Sequence, residues 1–159
     1  MNAIAWSESF ALQQPRMDRT HQEFVALLQR LAGACDAATA DLDGLLAELA
    51  EHSVAHFEQE ERWMGAIGFA ADNCHSMQHR QVLQVVGEVR DTLRREGKVE
   101  LVRVLARELG NWFVAHAQTM DSALVQMMAE QGFDPETGRI ERPAHFASPI
   151  TGCGGSSCS

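Results

Sequence analysis

The chain contains no tyrosine in 159 residues, so a function that depends on a tyrosyl radical is excluded. No apolar run approaches 18 residues, which argues against a membrane-spanning helix. Four cysteines do not make a disulfide scaffold in a chain of this size: Cys35 and Cys74 fall in helical stretches, Cys153 and Cys158 near the end, and free thiols are the default reading in a reducing compartment. Positive charge is scarce. Thirteen Lys and Arg against 22 Asp and Glu leave a net charge of −9, which points away from nucleic acid as a partner, because phosphates call for basic patches. The opening MNAIAWSESF has no basic stretch followed by an apolar one, so no signal peptide is expected and the cytoplasm is the expected location. Strand-like alternation is also missing.

What is present is helical periodicity. A 45% hydrophobic share in 159 residues is enough for one domain with a real core. Apolar positions at three-to-four steps predict helices from about Asp18 to Ala38, from Asp41 to Ile67, from Ala71 to Glu96 and from Val99 to Gln131. Asp41 reads as an N-cap, while Gly68, Gly97 and Gly132 read as stops. Four helices with short connections predict an all-α, antiparallel up-down-up-down four-helix bundle over residues 1–131. This includes an N-terminal arm, 1–17, whose Trp6, Phe10 and Leu12 are expected to pack on it. Residues 132–159, rich in Gly and Ser at the end, read as a flexible C-terminal tail.

One pattern carries chemistry: His21, then His56-x3-Glu60, then His75-x3-His79, then His116-x4-Asp121. Imidazoles and carboxylates suit iron, and each of the four helices supplies one or two of them. Residues four apart share a helix face, offset by about 40° and one turn, so His56 with Glu60 and His75 with His79 project as pairs into the bundle. A lone interior histidine is usually a hydrogen-bonded core residue. Two ligand pairs and further donors on successive helices point instead to a dinuclear iron site. His116 and Asp121 do not fit a regular helix, because five residues leave them about 140° apart. Both reach one site only if the helix is widened by a π-type turn, which is predicted between Trp112 and Asp121.

The segments H-F-E-Q-E (56–60), H-S-M-Q-H (75–79) and H-A-Q-T-M-D (116–121), with W-S-E-S-F, M-D-R-T-H around His21 and N-W-F-V-A-H before His116, resemble hemerythrin in its single-domain bacterial form, over roughly residues 4–130. The resemblance implies that His75, His79 and His116 hold one iron, that His21 and His56 hold the second, and that Glu60 and Asp121 bridge the pair with an oxo or hydroxo group. Three histidines and three bridges complete one iron, whereas two histidines and three bridges leave the other with a vacant position. The implied function is reversible dioxygen binding there, for storage, delivery or sensing, by a protein that is not an enzyme. The alternatives are a di-iron enzyme that removes peroxide or nitric oxide, and an iron-buffering or iron-sensing protein. Five neutral imidazoles beside two carboxylates disfavour high-valent chemistry, and the Glu-x-x-His pairs of carboxylate-rich di-iron sites are absent in register.

Around the site, Phe24, Phe57, Trp112, Phe113 and Thr119 are the expected lining of an oxygen pocket, the aromatics keeping it dry and the Thr119 hydroxyl reaching bound oxygen or admitting water. His52, one turn before His56, is expected to stay outside the ligand set. Glu58 and Glu61 are expected to be solvated, Cys74 to be rotated away from the metal, and His145 to be isolated in the tail. Cys153-x4-Cys158 is a candidate disulfide or soft-metal chelate. No protein partner can be named from the residues.

Overall fold

The computed structural model describes residues 3–141 and 149–152. Four long helices dominate it: α1, Pro15–Ala34; α2, Leu42–Ala66; α3, Cys74–Glu96; and α4, Val99–His116, which continues through a π-helical turn, Ala117–Asp121, into α5, Ser122–Glu130. No helix among the described residues is long and apolar enough to cross a membrane. α1 packs against α2 and α4, and α3 packs against the same two. A 23-residue helix runs about 35 Å, which neither the two residues between α3 and α4 nor the seven between the other pairs can retrace beside a packed partner. Consecutive helices therefore run antiparallel, giving the expected four-helix bundle.

Local chemistry sets the ends. Pro15 stands at the first turn of α1 and Gln14 Oε1 accepts from the Met17 amide at 2.6 Å, which starts the helix three residues before the expected Asp18. Asn73 likewise starts α3 at Cys74, its Oδ1 accepting from Ser76 N at 2.9 Å while its Nδ2 donates to Ala70 O at 2.7 Å. Asp41 caps α2 through Gly44 N at 2.8 Å. A Cβ at Gly44 would fall 2.3 Å from the Asp41 carboxylate, so this cap depends on glycine.

The same periodicity fills the interior. α2 buries Leu42, Leu46, Leu49, Ser53, His56, Glu60 and Met64, one unbroken stripe in which polar residues occupy the middle turns. The apolar core is consequently split. A large cluster holds Phe24, Leu28, Leu31, Leu46, Val86 and Phe113 among others. A smaller one at the opposite end holds Met17, Trp63, Met64, Leu124, Met128 and Phe133. The histidines and carboxylates lie between the two.

Segments outside the helices close both clusters. Ile4, Trp6 and Phe10 of the arm lie on the large one, and Ile4 sits so close to Gly110 that a Cβ there would come within 3.2 Å of it. Leu12 lies on the small one. The chain beyond Gly132 also differs from a free tail where it is described. Phe133 is buried and bridges Ile140, and Ile150 pairs with Phe69, its carbonyl accepting from Ala70 N at 2.7 Å. Burying these apolar side chains over the end of the bundle outweighs the freedom expected of a Gly- and Ser-containing segment. His145, Cys153 and Cys158 lie outside the described residues.

Asp43 ties α2 to α3 through Arg90, with Nε–Oδ1 at 2.8 Å, and through Arg94, with Nε–Oδ1 at 2.7 Å; these two guanidinium groups hold its carboxyl down at about 2. A carboxyl depressed in the folded state stabilises it above the unfolded pKa of about 3.9, and that contribution disappears as pH falls through the folded value. Urea midpoints should therefore separate wild type from D43N above pH 4 and converge between pH 4 and pH 2. A constant separation across that window would show that the ion pairs contribute nothing to stability.

Candidate metal centre

All seven residues of the His/Glu/Asp pattern converge. His21, Glu60, His75, His79, His116 and Asp121 are almost wholly buried, and His56 nearly so. Each comes from an apolar stripe: His21 from α1 between Met17 and Phe24, His56 and Glu60 from α2, His75 and His79 from the first two turns of α3, and His116 and Asp121 from the continuous α4–α5 helix. The predicted distortion is present. The Ser122 amide reaches back five residues to the Ala117 carbonyl, and this π turn brings His116 and Asp121 to one side before α5 resumes a regular stripe at Leu124 and Met128.

The five imidazoles turn Nε2 inward, toward the carboxylates. Glu60 presents Oε1 to His56 at 3.1 Å and Oε2 to His79 at 3.1 Å and His75 at 3.3 Å. Asp121 presents Oδ2 to His21 at 3.2 Å and Oδ1 to His75 at 3.0 Å and His116 at 3.1 Å. Each carboxylate thus turns one oxygen to the His21/His56 side, Glu60 to His56 and Asp121 to His21, and the other to two of His75, His79 and His116. The donors form two groups, Glu60–His75–His79–His116–Asp121 and His21–His56–Glu60–Asp121, whose ligand atoms lie within 4.8 Å of one another in each and which share the two acids.

These contacts have the length of ion pairs but not the direction of hydrogen bonds. Both oxygens of Glu60, both of Asp121 and both nitrogens of His21 are buried with no hydrogen-bond partner. His75 and His79 Nε2 also face His116 Nε2 at 3.1 and 3.2 Å, an arrangement in which protons cannot satisfy all three. Buried carboxylates without partners cost several kcal/mol unless positive charge compensates them. A donor set of five nitrogens and four oxygens aimed at shared points fits two cations of the borderline type that imidazole and carboxylate favour, iron among them.

The local field agrees. Burial pushes His56 down to about 4, whereas at His75 the carboxylates of Asp121 and Glu60 outweigh burial and lift it to about 10. His21 and His79 are raised in the same way, chiefly by Asp121 and Glu60 respectively. Although burial works the other way, Glu60 and Asp121 are both held low, by neighbours that include His56 for the first and His116 for the second. The interior is strongly attractive to cations.

Behind the imidazoles stand residues that the sequence pattern did not single out. His79 Nδ1 lies 3.2 Å from Glu61 Oε1, and Ser76 Oγ donates to Glu61 Oε2 at 2.5 Å. Glu61 was expected to be solvated. It instead crosses from α2 to α3, because position 61 lies about 100° round the helix from Glu60, toward the α3 side. Gln78 Oε1 accepts from His116 Nδ1 at 2.9 Å. Contacts of this kind fix the ring orientation and raise the basicity of the inward nitrogen. His52 stays outside the cluster, with Nε2 3.2 Å from Thr20 O.

Against His21, His56, His116 and Asp121 lies a small cavity with about 10 Å³ of free room, walled by Phe24, Phe57, Trp112 and Phe113. Phe57 stacks on His79 with ring centroids 4.0 Å apart, and Trp112 stacks on His116 at 4.3 Å. Thr119 does not line it. The π turn leaves this side chain on the exposed surface, its Oγ1 donating to Ala115 O at 2.7 Å, so the expected hydroxyl contact with the pocket is absent.

If Glu61 orients His79, E61A should weaken iron retention by roughly 10–100-fold in competition with a chelator, and E61Q, which keeps an acceptor oxygen, should recover part of it. Equal retention in wild type and E61A would remove that role.

Comparison with known proteins agrees with this geometry. Residues 14–128 match the family described as hemerythrin HHE cation binding domain. The chain is also 35% identical over 134 residues to a bacteriohemerythrin of Ralstonia nicotianae, a match covering 84% of this chain and 95% of that one. With a helical bundle, a buried His/Glu/Asp cluster in two overlapping groups and these similarities, the chain belongs to the hemerythrin family and carries the ligand cluster of a di-iron site.

Proposed function

We propose that this chain binds dioxygen reversibly at its di-iron centre, in storage, delivery or sensing, and that it works as a binder and not as an enzyme. In this reading His75, His79 and His116 would hold one iron, His21 and His56 would hold the other, and Glu60 and Asp121 would serve both, alongside an oxo or hydroxo group. The observation that carries the proposal is the position of the apolar cavity. It takes in both histidines of the smaller group, His21 and His56, but only His116 of the larger one, which supports a ligand position on the side of the group with one histidine fewer.

An iron pair held there would supply Lewis acidity and two electrons that can be lent and recovered. The protein's part is to bind, orient and keep dry. Phe24, Phe57, Trp112 and Phe113 leave space of the order of a single water molecule and wall it largely with aromatic carbon. Low polarity there slows the entry of the protons and water that would make electron transfer to oxygen irreversible. Glu61 and Gln78 hold His79 and His116 in register, so the iron with three histidines is the more rigidly built of the two. Five imidazoles bring no negative charge to the metals, and two carboxylates bring less than the acid-rich sites that activate oxygen. Cytoplasmic placement belongs to the same proposal.

Two measurements test it. Iron-loaded protein should melt well above the metal-free form. Iron at a thousand times its dissociation constant stabilises by about 4 kcal/mol, which at roughly 2–4 °C per kcal/mol for this size predicts a rise of about 10 °C by calorimetry. An unchanged melting temperature would exclude a resident metal. Diferrous protein exposed to dioxygen should develop a visible absorption band that disappears on deoxygenation and returns on re-exposure. Prompt, irreversible oxidation with turnover of added peroxide or nitric oxide would instead assign the centre to an enzyme.

A further inference from the structure

Two surface grooves touch the wall of the cavity, and their chemistry differs. One, of about 300 Å³ between α1 and α2, is lined by Arg16, Thr20, Glu23, His52, Gln59 and Arg62 among others and meets the cavity at His56. The second, of about 200 Å³ between α3 and α4, is lined by Gln81, Val82, Val85, Leu105, Leu109 and Trp112 together with Glu108, and meets the cavity at Trp112. We infer that Trp112 is the gate through which dioxygen reaches the cavity, and that the apolar groove between α3 and α4 is its entrance. The inference rests on the dioxygen-binding reading above.

Three observations carry it. Trp112 lines both the outer groove and the inner cavity, so this one side chain forms a wall between solvent and the open side of the centre. A gate has to move. His56, the shared wall on the polar side, is aimed at Glu60 and belongs to the cluster, whereas Trp112 is half-buried and held by ring contacts, stacked on His116 and edge-on to Phe57 at 6.2 Å. Dioxygen is apolar. The α3–α4 groove offers it aliphatic walls, with Val85 45% exposed at the surface. The α1–α2 groove presents charged and hydrogen-bonding groups that hold water. Rotation of the Trp112 side chain about its own torsions would join groove and cavity without unfolding the helix.

A change confined to the entrance alters a barrier and not an equilibrium, so association and dissociation rates must change together while Kd stays fixed. Val85 is a surface residue remote from the ligands, and V85W fills the groove. Stopped-flow mixing of diferrous V85W with dioxygen should show both rates lowered about tenfold at unchanged Kd, and W112F should raise the association rate. A55W, which fills the polar groove, should leave the rates as in wild type. Xenon-pressurised crystals of the iron-free protein give a readout independent of the metal: xenon should sit in the α3–α4 groove against Trp112 and be missing from V85W. Rates unaffected by V85W, or slowed by A55W instead, would overturn the inference. If dioxygen oxidises the protein irreversibly, the reversible-binding reading fails, yet the bimolecular oxidation rate still reports the route through the same variants.

Discussion

Everything in this molecule is arranged around two buried acids that must each serve two sets of histidines. Glu60 and Asp121 come from different helices, yet each divides its oxygens in the same sense, one toward a histidine of the His21/His56 pair and one toward two of His75, His79 and His116. That division is possible only if the two carboxylates sit at the same depth of the bundle. On α2 a regular stripe delivers Glu60. On the fourth helix a regular stripe cannot deliver both His116 and Asp121, and the π turn at Ala117–Asp121 supplies the missing rotation.

The cost of placing so much polarity in a core explains the layout around it. The large apolar cluster below the site and the smaller one above it exclude water, and the arm and the segments around Phe133 and Ile150 close the ends. Low dielectric makes the carboxylates expensive when alone and strongly attractive to cations. Affinity for metal thus arises from one feature, a polar layer held in an apolar sleeve. Glu61 and Gln78, at the edge of that layer, restrain the outer nitrogens of two rings.

Much of this was legible in the chain. Helices were readable because apolar residues recur at three-to-four steps, and the clustered donors because they occupy positions in those same stripes. Even the π turn was readable, since a five-residue step between two donors is incompatible with a regular helix. Other features were not. Glu61 looked solvated because a helix reading says which way a side chain leaves its own axis, not that Ser76 and His79 of the next helix wait there. Gln78, between two histidines, carried no signal of its own. Thr119 was expected at the pocket from its closeness to His116, but the widened turn that aligns Asp121 leaves Thr119 outside. The described parts of the segment after Gly132 resembled a loose tail in composition, and only the uncovered end of the bundle makes Phe133 and Ile150 worth burying.

The sequence by itself determined the helices, the seven donors and the need for one irregular turn, because these depend on periodicity along a single chain direction. Tertiary structure decided how the donors divide into two overlapping groups, which of them line the apolar cavity, and which neighbours hold the imidazoles in place. Those relations lie across helices, where distance is set by packing and no spacing in the chain records it.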